Sequence, residues 1–228
     1  MPALAAAITS CAAPPDVTTQ PIPTSQYETR IVEGWTVHVN RRLLGQEAAL
    51  GSEALKVLAG KLYDITRVVP EKPCAELRKT PIWLGVDDGP NERAQYHPSR
   101  DWLAKHGFNP EKAKGVEIGN ARDFLKTVIE QPSMVLHELA HSYHDRVLGF
   151  QHPGILEAYR EAKKGGTYES VLRSGGKMER HYAMTDPQEY FAEGTEAFLG
   201  TNDFYPFVRT ELKQHDPGLY KLLKEIWR

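Results

Sequence analysis

The sequence predicts an α+β fold, with a small mixed sheet in the N-terminal half (residues 27–131) and a mainly helical half after it (residues 132–228). Two observations carry this expectation. Short runs rich in Val, Ile, Trp and Thr gather before residue 120, and stretches with apolar residues at helical spacing dominate beyond it. No segment repeats, and 228 residues are enough for one domain with its own core.

The elements follow in order. "TRIVEGWTVHV" offers two strands around a turn at Glu33-Gly34. From Ser52, a good N-cap, Leu55, Leu58, Leu62 and Ile65 line one face of a helix. Residues 70–79 read as loop, "IWLGV" (82–86) as a strand and "DDGPNERAQYHP" as a long loop. "GVEIGN" (115–120) alternates as a short strand, and "ARDFLKTVIEQ" reads as helical. A helix restarts at Pro132 and runs through "PSMVLHELAHSYHDRVLG" to a stop at Gly149. Another covers 155–162. "YESVLRSGGKMERHYAM" can turn a hairpin at Ser174-Gly175-Gly176. "TDPQEYFAEGTEAFLG" is a helix capped by Thr185 or Asp186 and stopped by Gly200, and two short helices, 207–214 and 217–227, close the chain.

A net charge of -2 gives no reason to expect nucleic acid or an anionic membrane surface as partner. No apolar run approaches transmembrane length. Two cysteines, Cys11 and Cys74, are too few for a disulfide scaffold or a four-thiolate zinc site, although a single bridge between them is compatible with export. Residues 1–26, rich in Pro, Thr, Ala and Ser, cannot build a core and read as a tether. Within them "ITSC" resembles a bacterial lipoprotein processing site, which implies an exported protein anchored through a lipid at Cys11. The segment lacks a basic start and a long apolar stretch, so the alternative is a frayed N-terminus on a cytoplasmic protein.

The chemistry concentrates in "VLHELAHSYHD". His137 and His141 stand one helical turn apart on one face and can point two imidazoles at one ion. Glu138, rotated by ~100° from His137, stands beside that ion, where it can take a proton from water. His144 lies on a similar face but about 10 Å along the axis from His137, and Asp145 is farther. Both therefore read as outer contacts of the site or as a solvated helix end. For a third ligand, Glu189, Glu193 and Glu196 form an acidic stripe at i, i+4 and i+7 between Tyr190, Phe191, Ala192, Ala197 and Phe198. One carboxylate on the ion and a neighbour bonded to a ligating histidine would explain acids on a partly buried helix.

"HELAH" followed by "YAMTDPQEYFAE" resembles the gluzincin metallopeptidases of the anthrax lethal factor type, a group similar to the bacterial Pro-Pro endopeptidases. The resemblance covers residues 132–198, and the first half of the chain shows no such likeness. The chain is expected to be a monomer, and the resemblance implies a zincin-like domain with one zinc per chain held by His137, His141 and Glu189. It further implies Glu138 as general base, Tyr182 as a catalytic tyrosine donating to the oxyanion, and Glu193 as an acid behind the ligands. The substrate would be a peptide or protein, laid along an edge strand expected at 115–120. Two alternatives stay open: a zinc hydrolase of a non-protein amide such as a cell-wall fragment, and a non-catalytic zinc-containing binding module. Glu138 argues against the second, because a purely structural site needs no general base.

Overall fold

The structure, a computed structural model, describes residues 21–88 and 94–228. Cys11 and the lipoprotein-like segment lie outside the described residues. The first strands form where expected: β1 (Tyr27–Val32) and β2 (Trp35–Asn40) pair antiparallel around Glu33 and Gly34, whose φ angles are 50° and 89°. Two positive-φ residues suit the twist of a tight hairpin, and Gly34 takes that conformation without a steric penalty. β2 runs parallel to β3 (Ile82–Leu84), β3 runs parallel to β5 (Val116–Ile118), and β4 (Ala94–Tyr96) closes the sheet antiparallel to β5. The order is β1-β2-β3-β5-β4. The protein is therefore mixed α+β.

This order corrects one expectation. The strand at 115–120 lies inside the sheet, and the edge beside the histidine helix is β4, which the sequence reads as loop. β4 is three residues long, too short to show a period, and exists through its pairing with β5. Register rows run across the sheet: Val37, Ile82, Val116 and Tyr96 in one, Val39, Leu84, Ile118 and Ala94 in the next. Alternation puts these side chains on one face. All but Ala94, which is partly buried against them, are fully within the core that also holds Leu58, Leu62 and Leu139. On the opposite face Trp83 packs edge-on against Tyr27, and Glu117 meets His97 at 2.6 Å and the ammonium of Lys112.

Helix α1 (Ala48–Val68) buries Ala54, Leu58, Leu62 and Ile65 as its spacing predicts, but it starts a turn before Ser52. Its first turn lies so close to the preceding 3-10 turn (Arg41–Leu44) that a Cβ on Gly51 would come within 1.9 Å of the Leu43 carbonyl. This tertiary contact, rather than the local cap, sets the start. Residues 71–77, expected as loop, form α2 (Glu71–Leu77), which turns Pro73, Cys74 and Leu77 inward. Cys74 is a free, buried thiol. Two further helices, α3 (Arg100–Lys105) and α4 (Ala121–Glu130), flank β5 in the chain.

The C-terminal half follows the expected order. Helix α5 (Met134–Tyr143) carries the motif, continues as a π-helical turn (His144–Leu148) and stops at Gly149, whose φ is 78°. Then come α6 (Pro153–Gly165), a hairpin of β6 (Val171–Leu172) and β7 (Met178–Glu179), α7 (Pro187–Leu199), α8 (Arg209–His215) and α9 (Pro217–Ile226). α5 packs directly against α7 and against β4. Ahead of β1, the described chain is anchored: Asn109 donates to the Ile22 carbonyl at 3.1 Å and to the Thr24 hydroxyl at 3.0 Å. The part of the expected tether at 22–24 is thus docked. Among the described residues no helix is long and apolar enough to cross a membrane.

Candidate metal centre

Helix α5 is almost wholly buried, so His137 and Glu138 are drawn inside with its apolar residues. Helix α7 starts at Asp186, whose carboxylate accepts the N–H groups of Gln188 and Glu189 at 2.8 and 2.9 Å. This cap fixes the first turn, and Glu189 projects from it toward α5. Three side-chain atoms then converge across the two helices. Nε2 of His137 lies 3.0 Å from Nε2 of His141 and 3.1 Å from Oε2 of Glu189, and the last two atoms are 3.4 Å apart. An ion about 2.0–2.1 Å from each donor at tetrahedral angles separates its donors by about 3.3 Å. The triangle has that size.

The hydrogen bonding behind the triangle fixes its chemistry. Nδ1 of His137 lies 2.7 Å from Oε1 of the fully buried Glu196, which also accepts Gln131 at 3.2 Å. With its proton on Nδ1, His137 turns a lone pair at Nε2 toward the lone pairs of His141 and Glu189. Nε2 of His137, Nε2 of His141 and the Glu189 carboxylate cannot all turn lone pairs to one point unless a proton or a metal cation lies among them. The titration behaviour expresses the same demand. Burial opposes charge on His137, but hydrogen bonds to Glu189 and Glu196 outweigh it and hold its pKa well above the ordinary value. Burial also works to raise Glu189, yet His137 and His141 pull it well below the usual carboxylate range. The site is built for positive charge, and these His and Glu groups could hold a metal ion.

Glu193 also lies behind His137, but farther from it than Glu196 does. Its Oε1 is 3.7 Å from Nδ1, while its other oxygen accepts Asn202 at 2.9 Å. Glu196, one turn on, makes the close contact. The imidazole lies across α7, with its two nitrogens against carboxylates two turns apart. Burial raises both Glu193 and Glu196, Glu193 well above its ordinary value. The acidic stripe shows that one of these acids backs a histidine, but which one comes closer depends on the crossing of α5 and α7, which no local pattern encodes.

His144 and Asp145 touch none of the three converging atoms. His144 is fully buried between Phe150 and Phe191, and its ring nitrogens find no hydrogen-bond partner among the described residues. Burial depresses its pKa to about 4. Asp145 accepts the hydroxyl of Tyr96 at 2.7 Å and pairs with Lys114. Glu138 is also buried, and its Oε2 accepts the backbone N–H of Tyr96 at 2.7 Å. Tyr96 is a site residue absent from the sequence reading, because its strand is not recognisable there.

A cleft of about 1000 Å³ exposes the triangle, and β4 forms one wall of it. Tyr182 lines the cleft beside His137, Glu138 and Glu189 and is 49% exposed, open to a ligand. It lies in a 3-10 turn (Tyr182–Met184) after the hairpin. His181 caps that turn by accepting the Ala183 N–H at 3.1 Å. Burial and the nearby Glu189 raise the Tyr182 phenol, which keeps it a donor at neutral pH. Compared with known protein families, curated proteins and solved structures, the chain has no match.

Proposed function

We propose that this chain is a zinc-dependent metallopeptidase of zincin-like fold, holding one zinc through His137, His141 and Glu189. The observation that carries the reading is the triangle of Nε2, Nε2 and Oε2 atoms within 3.4 Å of one another, open to a cleft and flanked by Glu138. Two imidazoles and a carboxylate form a donor set suited to catalytic zinc, which leaves a further position for water or substrate. When bound, the ion supplies Lewis acidity, polarising a carbonyl and lowering the pKa of water.

The rest of the chemistry belongs to the chain. Glu138 accepts a proton from the attacking water and delivers it to the leaving amine. Tyr182 donates its phenolic hydrogen to the carbonyl oxygen as negative charge develops there. Glu196 holds the proton of His137 on Nδ1 and so keeps Nε2 available as a ligand. β4, last in the sheet order and a wall of the cleft, suits an extended peptide laid along it, with the Tyr96 N–H on that edge already held by Glu138. That geometry favours a peptide over a compact amide.

The test compares a library of extended peptides with cell-wall amide fragments, each with zinc and with a chelator. Chelator-sensitive cleavage inside peptides supports the reading. Cleavage of wall fragments alone makes the chain a zinc amidase of another class, and zinc binding without hydrolysis makes it a binding module.

A further inference from the structure

We infer that Tyr96 and Asp145 are positioning residues for Glu138: together they pin the edge strand β4 to the helical run that carries the general base. This rests on the metallopeptidase reading of the site. In the antiparallel β4–β5 pair, the His97 N–H bonds the Gly115 carbonyl at 3.0 Å and the His97 carbonyl accepts the Lys114 N–H at 2.7 Å. The backbone groups of the residue before it therefore point the other way, off the sheet. The Tyr96 N–H meets Oε2 of Glu138 at 2.7 Å, and the Tyr96 hydroxyl meets Oδ2 of Asp145 at 2.7 Å.

Glu138 and Asp145 are seven residues apart on one helical run, about 10 Å at 1.5 Å per residue. One residue of the strand thus holds that run at two points two turns apart. A single bond would leave β4 a pivot, whereas two fix both its height along α5 and its tilt. Lys114, which leads into β5, adds its ammonium to the same Asp145 oxygen from a φ of 61°, a conformation that non-glycine residues seldom adopt. Asp145 thus ties β4, β5 and the π-helical turn together. The clamp fixes one carboxylate oxygen of Glu138 and with it the direction of the other. Proton transfer requires that direction to keep the carboxylate within hydrogen-bond reach of the water. Because β4 is also the wall on which the peptide would lie, the same clamp sets the height of the substrate relative to the base.

The experiment uses the full zinc-loaded chain and four variants: Tyr96→Phe, Asp145→Ala, Asp145→Asn and the Tyr96→Phe/Asp145→Ala double variant. The asparagine keeps an acceptor for the tyrosine hydroxyl. Amide hydrogen exchange across residues 94–97 is measured together with kcat and KM on a peptide the wild type cleaves. Tyr96→Phe and Asp145→Ala are expected to speed exchange of the Tyr96 amide, and to lower kcat about tenfold with KM within about twofold, as a displaced catalytic group does. Asp145→Asn, which keeps the acceptor but loses the charge paired with Lys114, falls between wild type and Asp145→Ala in both, zinc stoichiometry is unchanged throughout, and the Tyr96→Phe/Asp145→Ala double variant is no worse than either single one. Unchanged Tyr96 exchange in the phenylalanine and alanine variants overturns the inference, as does an asparagine variant that falls as far as alanine. If the wild type binds zinc but cleaves no peptide, the metallopeptidase reading fails, and the exchange measurement alone decides whether the clamp exists.

Discussion

His137 and Glu196 form a buried pair in which Nδ1 of the imidazole lies 2.7 Å from a carboxyl oxygen on the facing helix. The pair decides which ring nitrogen carries the proton, and so whether Nε2 can act as a ligand. Glu196→Ala is therefore expected to weaken zinc binding by about 10–100-fold, the usual effect of losing the partner behind a ligating histidine. Glu196→Gln, which can still accept through its amide oxygen, should lose less. Competition against a chromophoric chelator reads both values. Equal affinity in the alanine variant and the wild type would remove Glu196 from the site.

Glu138 and Tyr182 line the cleft without belonging to the triangle of donor atoms. Glu138→Ala should keep its zinc and lose hydrolysis by about 10²–10⁴-fold, the range for a general base. Tyr182→Phe should lower kcat by about 10²–10³-fold, as loss of an oxyanion donor does, again with zinc retained. Rates normalised to bound zinc separate these effects from metal loss. Full activity in Glu138→Ala would refute the assigned mechanism.

Stability should fall in mild acid. Burial first, then the charges of His141 and His152, lower His144 to about 4, and burial, then His215, lowers His181 to about 3. Both are neutral in the fold at pH 7, whereas in the unfolded chain they take up protons near pH 6.5. The unfolded state then binds more protons, so the contribution is complete above about pH 6.5 and is lost as pH falls toward 4. His144→Phe keeps the packing against Phe150 and Phe191 and removes one of these groups. Urea unfolding of the zinc-free protein at pH 7 and pH 5 should show a smaller acid loss in this variant, by about 2 kcal/mol at ~1.4 kcal/mol per pH unit. An identical loss in both proteins would mean that His144 titrates normally in the fold.

The sequence makes the site legible wherever chemistry repeats at helical spacing. His137, Glu138 and His141 are evident because a buried helix has no other use for them. Glu189, Glu193 and Glu196 stand out together as acids on a partly buried helix, and only the resemblance to gluzincins singles out Glu189 among them. What is not legible depends on tertiary contact. β4 is a strand only because β5 lies beside it. Residues 71–77 are helical because Pro73, Cys74 and Leu77 face the core. The start of α1 is set by Gly51 lying against Leu43. That Glu196 comes closer to His137 than Glu193 follows from the crossing of two helices, and the link from Asp145 through Tyr96 to Glu138 needs the strand that cannot be seen.

The most direct measurement is equilibrium dialysis of the purified chain against zinc, run beside Glu189→Ala. One zinc per wild-type chain is expected, with most of it lost from the variant and a larger share kept by Glu193→Ala. A wild-type chain that takes up no stoichiometric zinc, or a Glu189→Ala chain that binds it as tightly, would contradict a centre closed across α5 and α7.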